Sequence, residues 1–209
     1  MVTDVDYYLG VDLGQRRDYS AMAVVSKFVP RRKERNWATW GYDVHEGAPV
    51  FRLEGLERLA LETTYPNVVR RVKDAVQILR QQGSCTVVVD ATGVGGPVVD
   101  WLRKADLQCP IVPVIITGAD RATVDKGVYN TPRRDLLAAV GVLLADHRLK
   151  VKKGLAAWPA LKKELQSLGK DGQSRGCAHD DLAMAAALAC WRARFTDYGY
   201  KRGDLGVRA

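Results

Sequence analysis

Long apolar runs are missing from this 209-residue chain. None approaches the ~20 residues that a helix needs to cross a bilayer, so no membrane partner is expected. No basic-then-apolar leader follows Met1, and the expected location is the cytoplasm. Cysteine is sparse: Cys85, Cys109, Cys177 and Cys190 stand apart without a Cys-x-x-Cys pair. That excludes a zinc ribbon and a disulfide framework, and it fits a reducing compartment. The phosphate-binding pattern G-x-x-x-x-G-K-[ST] is also missing, since the Gly169-Lys170 pair is followed by Asp171. A P-loop motor is thereby excluded. Internal repeats and low-complexity tracts are absent too.

What is present is an ordinary globular composition, 47% apolar and 27% charged, at a length that suits one well-cored domain. That domain is expected to span residues 1–196, with the Gly-rich, basic stretch 197–209 as a flexible tail. Lys and Arg outnumber Asp and Glu by 32 to 24, for a net charge of +8. Such a balance suits a polyanionic partner such as nucleic acid.

Residues 7–13 (YYLGVDL) and 21–28 (AMAVVSKF) read as two strands of a hairpin, being short, apolar and rich in aromatic or β-branched side chains. A basic segment at 30–35 interrupts, and 37–44 forms a plausible third strand. Residues 46–65 are irregular. Helical spacing of Val68, Val69, Val72, Ala75, Val76 and Leu79 predicts a helix over 67–82, with Pro66 in its first turn and Gly83 at its end. The continuous apolar run 85–90 predicts a strand buried on both faces. A short helix at 97–105 and a strand at 111–117 follow, where Pro113 argues for an edge or strand-end position. Helices at 132–146, 157–168 and 180–194 complete the order, the last built from small apolar residues that pack closely on a sheet. A meander followed by parallel strands with helices on both faces is an α/β order of the RNase H-like type.

Asp12 lies near the end of the first apolar strand, and Asp90 closes the run Val87-Val88-Val89. A carboxylate at such a place needs a cation, a set of hydrogen-bond donors or an exit to solvent. Each also suits a turn sequence. If the two strands are parallel neighbours, both carboxylates emerge at the carboxyl edge, where open α/β sheets bind ligands. Asp180-Asp181, preceded by His179, adds acidic groups at the start of the last helix, a place that helix capping also favours. Oxygen-rich sites of this kind suit Mg²⁺ or Mn²⁺, and two such ions support phosphodiester hydrolysis. His179 is a candidate for water positioning, proton transfer or metal ligation.

Three segments carry a resemblance: 9–14 (LGVDLG) with 18–21 (DYSA), 88–98 (VVDATGVGGPV) and 179–189 (HDDLAMAAALA). In order and spacing they resemble the nuclease domain of phage large terminases, DNA-packaging motor subunits. The resemblance implies a Mg²⁺- or Mn²⁺-dependent endonuclease with an RNase H-like fold, which cuts concatemeric double-stranded viral DNA at packaging. It implies metal ligation by Asp12, Asp90 and either Asp181 or Asp180. Where relatives of this fold often carry a further acidic residue one turn on, this chain has Met184. In a packaging context the partners implied are an ATPase domain, a small terminase and a portal. Lacking the P-loop, the chain resembles the nuclease half alone.

Arg16, Arg17, Arg31, Arg32, Lys33, Arg121, Lys126, Arg133 and Arg134 are expected to frame the acidic edge and to meet DNA phosphates. Rival expectations are a Holliday junction resolvase with the same carboxylates, a non-catalytic DNA-binding domain, and a nucleotide-binding module of the actin and sugar-kinase type. The last would cradle phosphates on Asp12-Leu-Gly14 and the glycines after Asp90.

Overall fold

The structure, a computed structural model, describes residues 5–14, 18–93, 95–168 and 179–195. Asp6–Asp12 (β1) pairs antiparallel with Ala21–Phe28 (β2), as the hairpin reading expects. The next sheet strand is Val50–Arg58 (β5) rather than residues 37–44. Arg31–Asn36 (β3) and Gly41–Glu46 (β4) instead make a separate two-stranded hairpin. Residues 37–40 form the turn of this hairpin, and only 41–44 of the expected strand are extended, with Tyr42 and Val44 left exposed. In β5, Phe51 and Leu53 enter the core while Arg52 points to solvent, so charged outer positions disguise the strand.

Tyr65–Arg80 (α1) then leads into Ser84–Asp90 (β6), which lies parallel to β1. After Gly95–Lys104 (α2), Ile111–Thr117 (β7) runs parallel to β6. Contrary to expectation, β7 is an interior strand. Pro113 is tolerated because pairing with the next strand begins only at Val114, leaving that flank open at the proline. Thr123–Asp125 (β8) and Val128–Pro132 (β9) form a short hairpin that the sequence reading missed. Arg133–Ala145 (α3), Leu149–Val151 (β10), Trp158–Ser167 (α4) and Asp181–Phe195 (α5) complete the chain.

The main sheet has the order β10-β5-β2-β1-β6-β7-β9-β8. Only β2 and β8 run against the rest. Helices cover both faces. Val68, Val72 and Val76 of α1 and Val98 and Leu102 of α2 pack with Leu9, Val11, Val87 and Val89 on one side. On the other, α3, α4 and α5 pack with Tyr8, Ala23, Val25, Phe51 and Val88. α5 sits unusually close to β1, because a Cβ on Gly10 would lie 2.0 Å from the Ala185 carbonyl oxygen. That approach requires glycine on the strand and alanine on the helix. Among the described residues no helix is long and apolar enough to cross a membrane. The expected tail at 197–209 lies outside the described residues.

Candidate active site at the carboxyl edge of the sheet

Register decides what meets at this edge. β1 and β6 pair in parallel up to Val11 with Val89, so Asp12 and Asp90 follow as neighbours one step later. β5 also ends here, with Arg58 paired to Ala21, the residue opposite Asp12. α5 begins above the same edge and brings Asp180 and Asp181. Asp12, Gly14, Asp18, Tyr19, His179 and the two helix aspartates line a cleft of about 260 Å³. A larger cleft of about 540 Å³ shares Gly14 and Asp18 and continues past Ser20, Thr63 and Tyr65 at the start of α1.

Asp12 makes no ion pair among the described residues. Burial raises its carboxyl well above the ordinary carboxylate range, and repulsion from Asp90, Asp181 and Asp180 adds to the rise; Arg133 opposes it. Burial also raises Asp90, against the pull of two hydrogen bonds from Thr92 and the charge of Arg133. The Thr92 amide donates to Asp90 Oδ1 at 2.8 Å, and Thr92 Oγ1 accepts the Ile116 amide at 2.9 Å. Asp90 is thus fixed by a turn that is itself tied to β7. The turn reading of this aspartate therefore holds.

The helix aspartates are engaged differently. Arg133, the first residue of α3, donates to Asp180 Oδ2. Arg58 donates from Nε to Asp181 Oδ2 at 2.6 Å, and from its Nη2 to Glu164 Oε1. Glu164, on α4 and only 2% exposed, also accepts the Ala183 amide at 2.8 Å. Burial pushes its carboxyl up to about 7, opposed by the Ala183 amide; repulsion from Asp181 adds to the rise and Arg58 counters it. Arg58 also lies 5.1 Å from the Tyr19 ring centroid, and Tyr19 meets the His179 ring edge-on at 5.1 Å. Arg58, Glu164 and Tyr19 are absent from the sequence-based site. A buried Glu on an amphipathic helix was the one available signal, and it reads as a surface residue without the fold.

Of the expected phosphate contacts, Arg133 lies in the site. Arg134 is held by Asp120, at 2.9 Å from Oδ1 and 2.6 Å from the carbonyl oxygen. Arg121 lies in the connection leaving the carboxyl end of β7, and Lys126 in the β8–β9 turn. Arg16 and Arg17 lie outside the described residues. Arg31, Arg32 and Lys33 do not frame the acidic edge. β2 carries the chain about 23 Å to the opposite end of the sheet before the hairpin begins, since Asp12 faces Ala21 but Asp6 faces Lys27. Met184 is buried in the α3–α5 core, so that position supplies no acidic ligand.

Several carboxylates share one edge, and Asp12 among them makes no ion pair among the described residues, oxygen chemistry of the kind a hard divalent cation takes. Asp180 and Asp181 are turned toward arginines. Accordingly, among the described residues no three His, Cys, Asp or Glu side chains close around one point.

A central β5-β2-β1-β6-β7 order with helices on both faces and carboxylates at the ends of β1 and β6 is the RNase H-like fold. Among solved structures, the chain is similar to the large terminase nuclease of the thermophilic phage G20c, crystallised with bound zinc. The two share 22% identity at a TM-score of 0.51, over 89% of this chain and 80% of that one. Thermus thermophilus RuvC is similar at 15% identity and a TM-score of 0.42, over 93% and 97%. Neither a protein-family model nor a curated protein matches the chain.

Proposed function

We propose that this protein is a divalent-metal-dependent DNA endonuclease of the terminase-nuclease kind. The observation that carries the reading is Asp12: a half-buried carboxylate lining the cleft, crowded by Asp90, Asp180 and Asp181, that lacks an ion-pair partner among the described residues. Carboxylates crowded at one edge do not all stay charged unless a cation is bound there or one of them is neutralised. The fold shared with the phage G20c terminase nuclease supports the same reading. Asp12 and Asp90, with Asp180 or Asp181, would hold two Mg²⁺ or Mn²⁺ ions. When bound, such ions supply activation of the attacking water and neutralisation of the leaving oxygen of a phosphodiester.

The remaining work falls to this chain's own side chains. Thr92 fixes the Asp90 carboxylate. Arg133 offers its guanidinium to a substrate phosphate once it is released from Asp180. His179, lining the cleft and steadied by Tyr19, holds a water or passes a proton. The substrate is double-stranded DNA, held through phosphates by Arg133, Arg134, Arg121 and Lys126. Concatemeric viral DNA is the substrate expected in a packaging setting, with an ATPase subunit, small terminase and portal as partners.

The test is digestion of plasmid, nicked and four-way-junction DNA with Mg²⁺, Mn²⁺ or EDTA, beside Asp90→Ala. Cleavage of plasmid that needs the metal and is lost in the variant is expected. Cleavage that survives both EDTA and the substitution refutes the mechanism, and cleavage restricted to junctions assigns the chain to resolvases.

A further inference from the structure

The basic run that lies away from the carboxylates has an architecture of its own. In the β3–β4 hairpin, Arg31 faces Glu46, Lys33 faces Val44 and Arg35 faces Tyr42. Directly opposed residues share a face, and faces alternate along each strand. One face therefore carries Arg31, Lys33 and Arg35 with Tyr42, Val44 and Glu46. The other carries Arg32 and His45 with Glu34 and Asp43. Cations and aromatics are thus gathered on one side, while two of the three acidic groups lie on the reverse.

The tip extends the basic side. The Arg35 guanidinium lies 4.3 Å from the Trp37 ring centroid, and Trp37 meets Trp40 edge-on at 6.3 Å. Asn36 Oδ1 accepts the Ala38 and Thr39 amides at 3.0 and 3.2 Å, which fixes the turn that presents both indoles. Trp37, Trp40 and Tyr42 are 66, 76 and 64% exposed. Three large aromatics in water beside cations belong to neither hydrophobic core. Exposure on this scale marks an interaction surface.

We propose that this hairpin face binds single-stranded nucleic acid, with bases stacked on Trp37, Trp40 and Tyr42 and phosphates met by Lys33, Arg35 and Arg31. Cations on alternate residues of β3 repeat at about 6.6 Å, a spacing of the same order as that of phosphates along an extended strand. Stacking on aromatics needs base faces that a duplex hides, so unpaired strand is the matching ligand. Charge complementarity argues against a second copy of this chain, because pairing the face with itself would bring together three cations from each copy against one carboxylate, Glu46, from each. A protein partner would have to bury lysine at the centre of the contact, where interfaces are depleted of it. The face lies at the far end of the sheet from Asp12, so a strand held here is anchored away from the carboxylates. Binding at this face needs neither cleavage nor metal.

The test uses the whole chain in EDTA, titrated with oligothymidylate and with a blunt duplex of matched length. Oligothymidylate is expected to quench tryptophan fluorescence. The pair Trp37→Ala and Trp40→Ala should weaken single-strand binding about tenfold or more, and duplex binding should be unchanged. Charge reversal at Lys33 and Arg35 should flatten the salt dependence of single-strand binding. Equal losses on both ligands, or no loss on either, overturn the proposal. So does self-association that the tryptophan variant abolishes while strand affinity stays intact, which assigns the face to a second copy. If the tryptophan variant melts early, Lys33→Ala with Arg35→Ala decides by the same comparison.

Discussion

The two ends of the central sheet hold charge in opposite ways. At the carboxyl edge, charges are buried or half-buried and mutually dependent: Arg58 bridges Asp181 and Glu164, Arg133 holds Asp180, and Asp12 is repelled by three carboxylates and attracted by Arg133. At the other end, the hairpin keeps its charges in water, where the 2.9 Å Arg31–Glu46 pair is 44 and 57% exposed. An exposed pair of that kind contributes under about 1 kcal/mol, whereas a buried one is costly to break. The difference separates chemistry from contact. On the proposed reading a crowded carboxylate cluster is tolerated for what it can bind, and an exposed basic face costs the fold little.

The sharpest way to break this comparison is Asp90→Asn. If the carboxylate edge is catalytic, DNA cleavage should fall more than about a thousandfold, beyond the loss typical for one transition-state hydrogen bond. Duplex affinity measured in EDTA should hold or rise, because one negative charge has left a site that faces phosphate. A variant that keeps its activity would remove the edge from the chemistry.

Next in size is Arg58→Ala. It strands Asp181 and the buried Glu164 together, and loss of one partner from such a network costs about 3 kcal/mol. Urea unfolding should show that loss, and adding Glu164→Gln to the Arg58 variant should recover part of it by removing the uncompensated charge. An equal cost from Arg31→Ala in the hairpin would erase the distinction between the two ends.

How much of this was legible beforehand differs between the ends as well. Asp12 and Asp90 were readable because a carboxylate at the end of an apolar strand is conspicuous, and the parallel pairing of β1 with β6 brings them together as expected. The close seat of α5 was readable from its alanines, though not that Gly10 would be their counterpart. Arg58 and Glu164 were not, because they are 106 residues apart and each looks like a surface charge on its own element. The β3–β4 hairpin was misread for a related reason. Alternation and β propensity describe a pleated strand, but they do not say which sheet it joins, and β5 hides its apolar side behind arginine and glutamate.

A smaller effect should appear with pH. Glu164 sits near 7 in the fold against an ordinary value of 4.5, and Asp12 and Asp90 shift in the same direction. The folded state therefore holds these protons more tightly than the unfolded chain. The stability they confer is complete below the unfolded value and is lost as pH rises through the folded one. Metal-free protein should melt several degrees higher near pH 5.5 than near pH 8, and Asp12→Asn should flatten the difference. A melting temperature that climbs across this window would contradict the crowding of carboxylates at the edge.

The smallest expected effect belongs to the hairpin. Trp37→Ser with Trp40→Ser removes two indoles that touch Arg35 and each other but neither core. At the hairpin's base, the Gly47 amide donates to the Pro30 carbonyl at 2.8 Å, a backbone contact that these substitutions leave intact. The cost to folding should therefore stay within about 0.5 kcal/mol, the range of surface changes, and the melting temperature should move by about 2 °C or less. Differential scanning fluorimetry at one pH in EDTA is sufficient to check it. A drop of several degrees would mean that the hairpin folds against the body of the protein, and its aromatics would then be structural rather than displayed for a ligand.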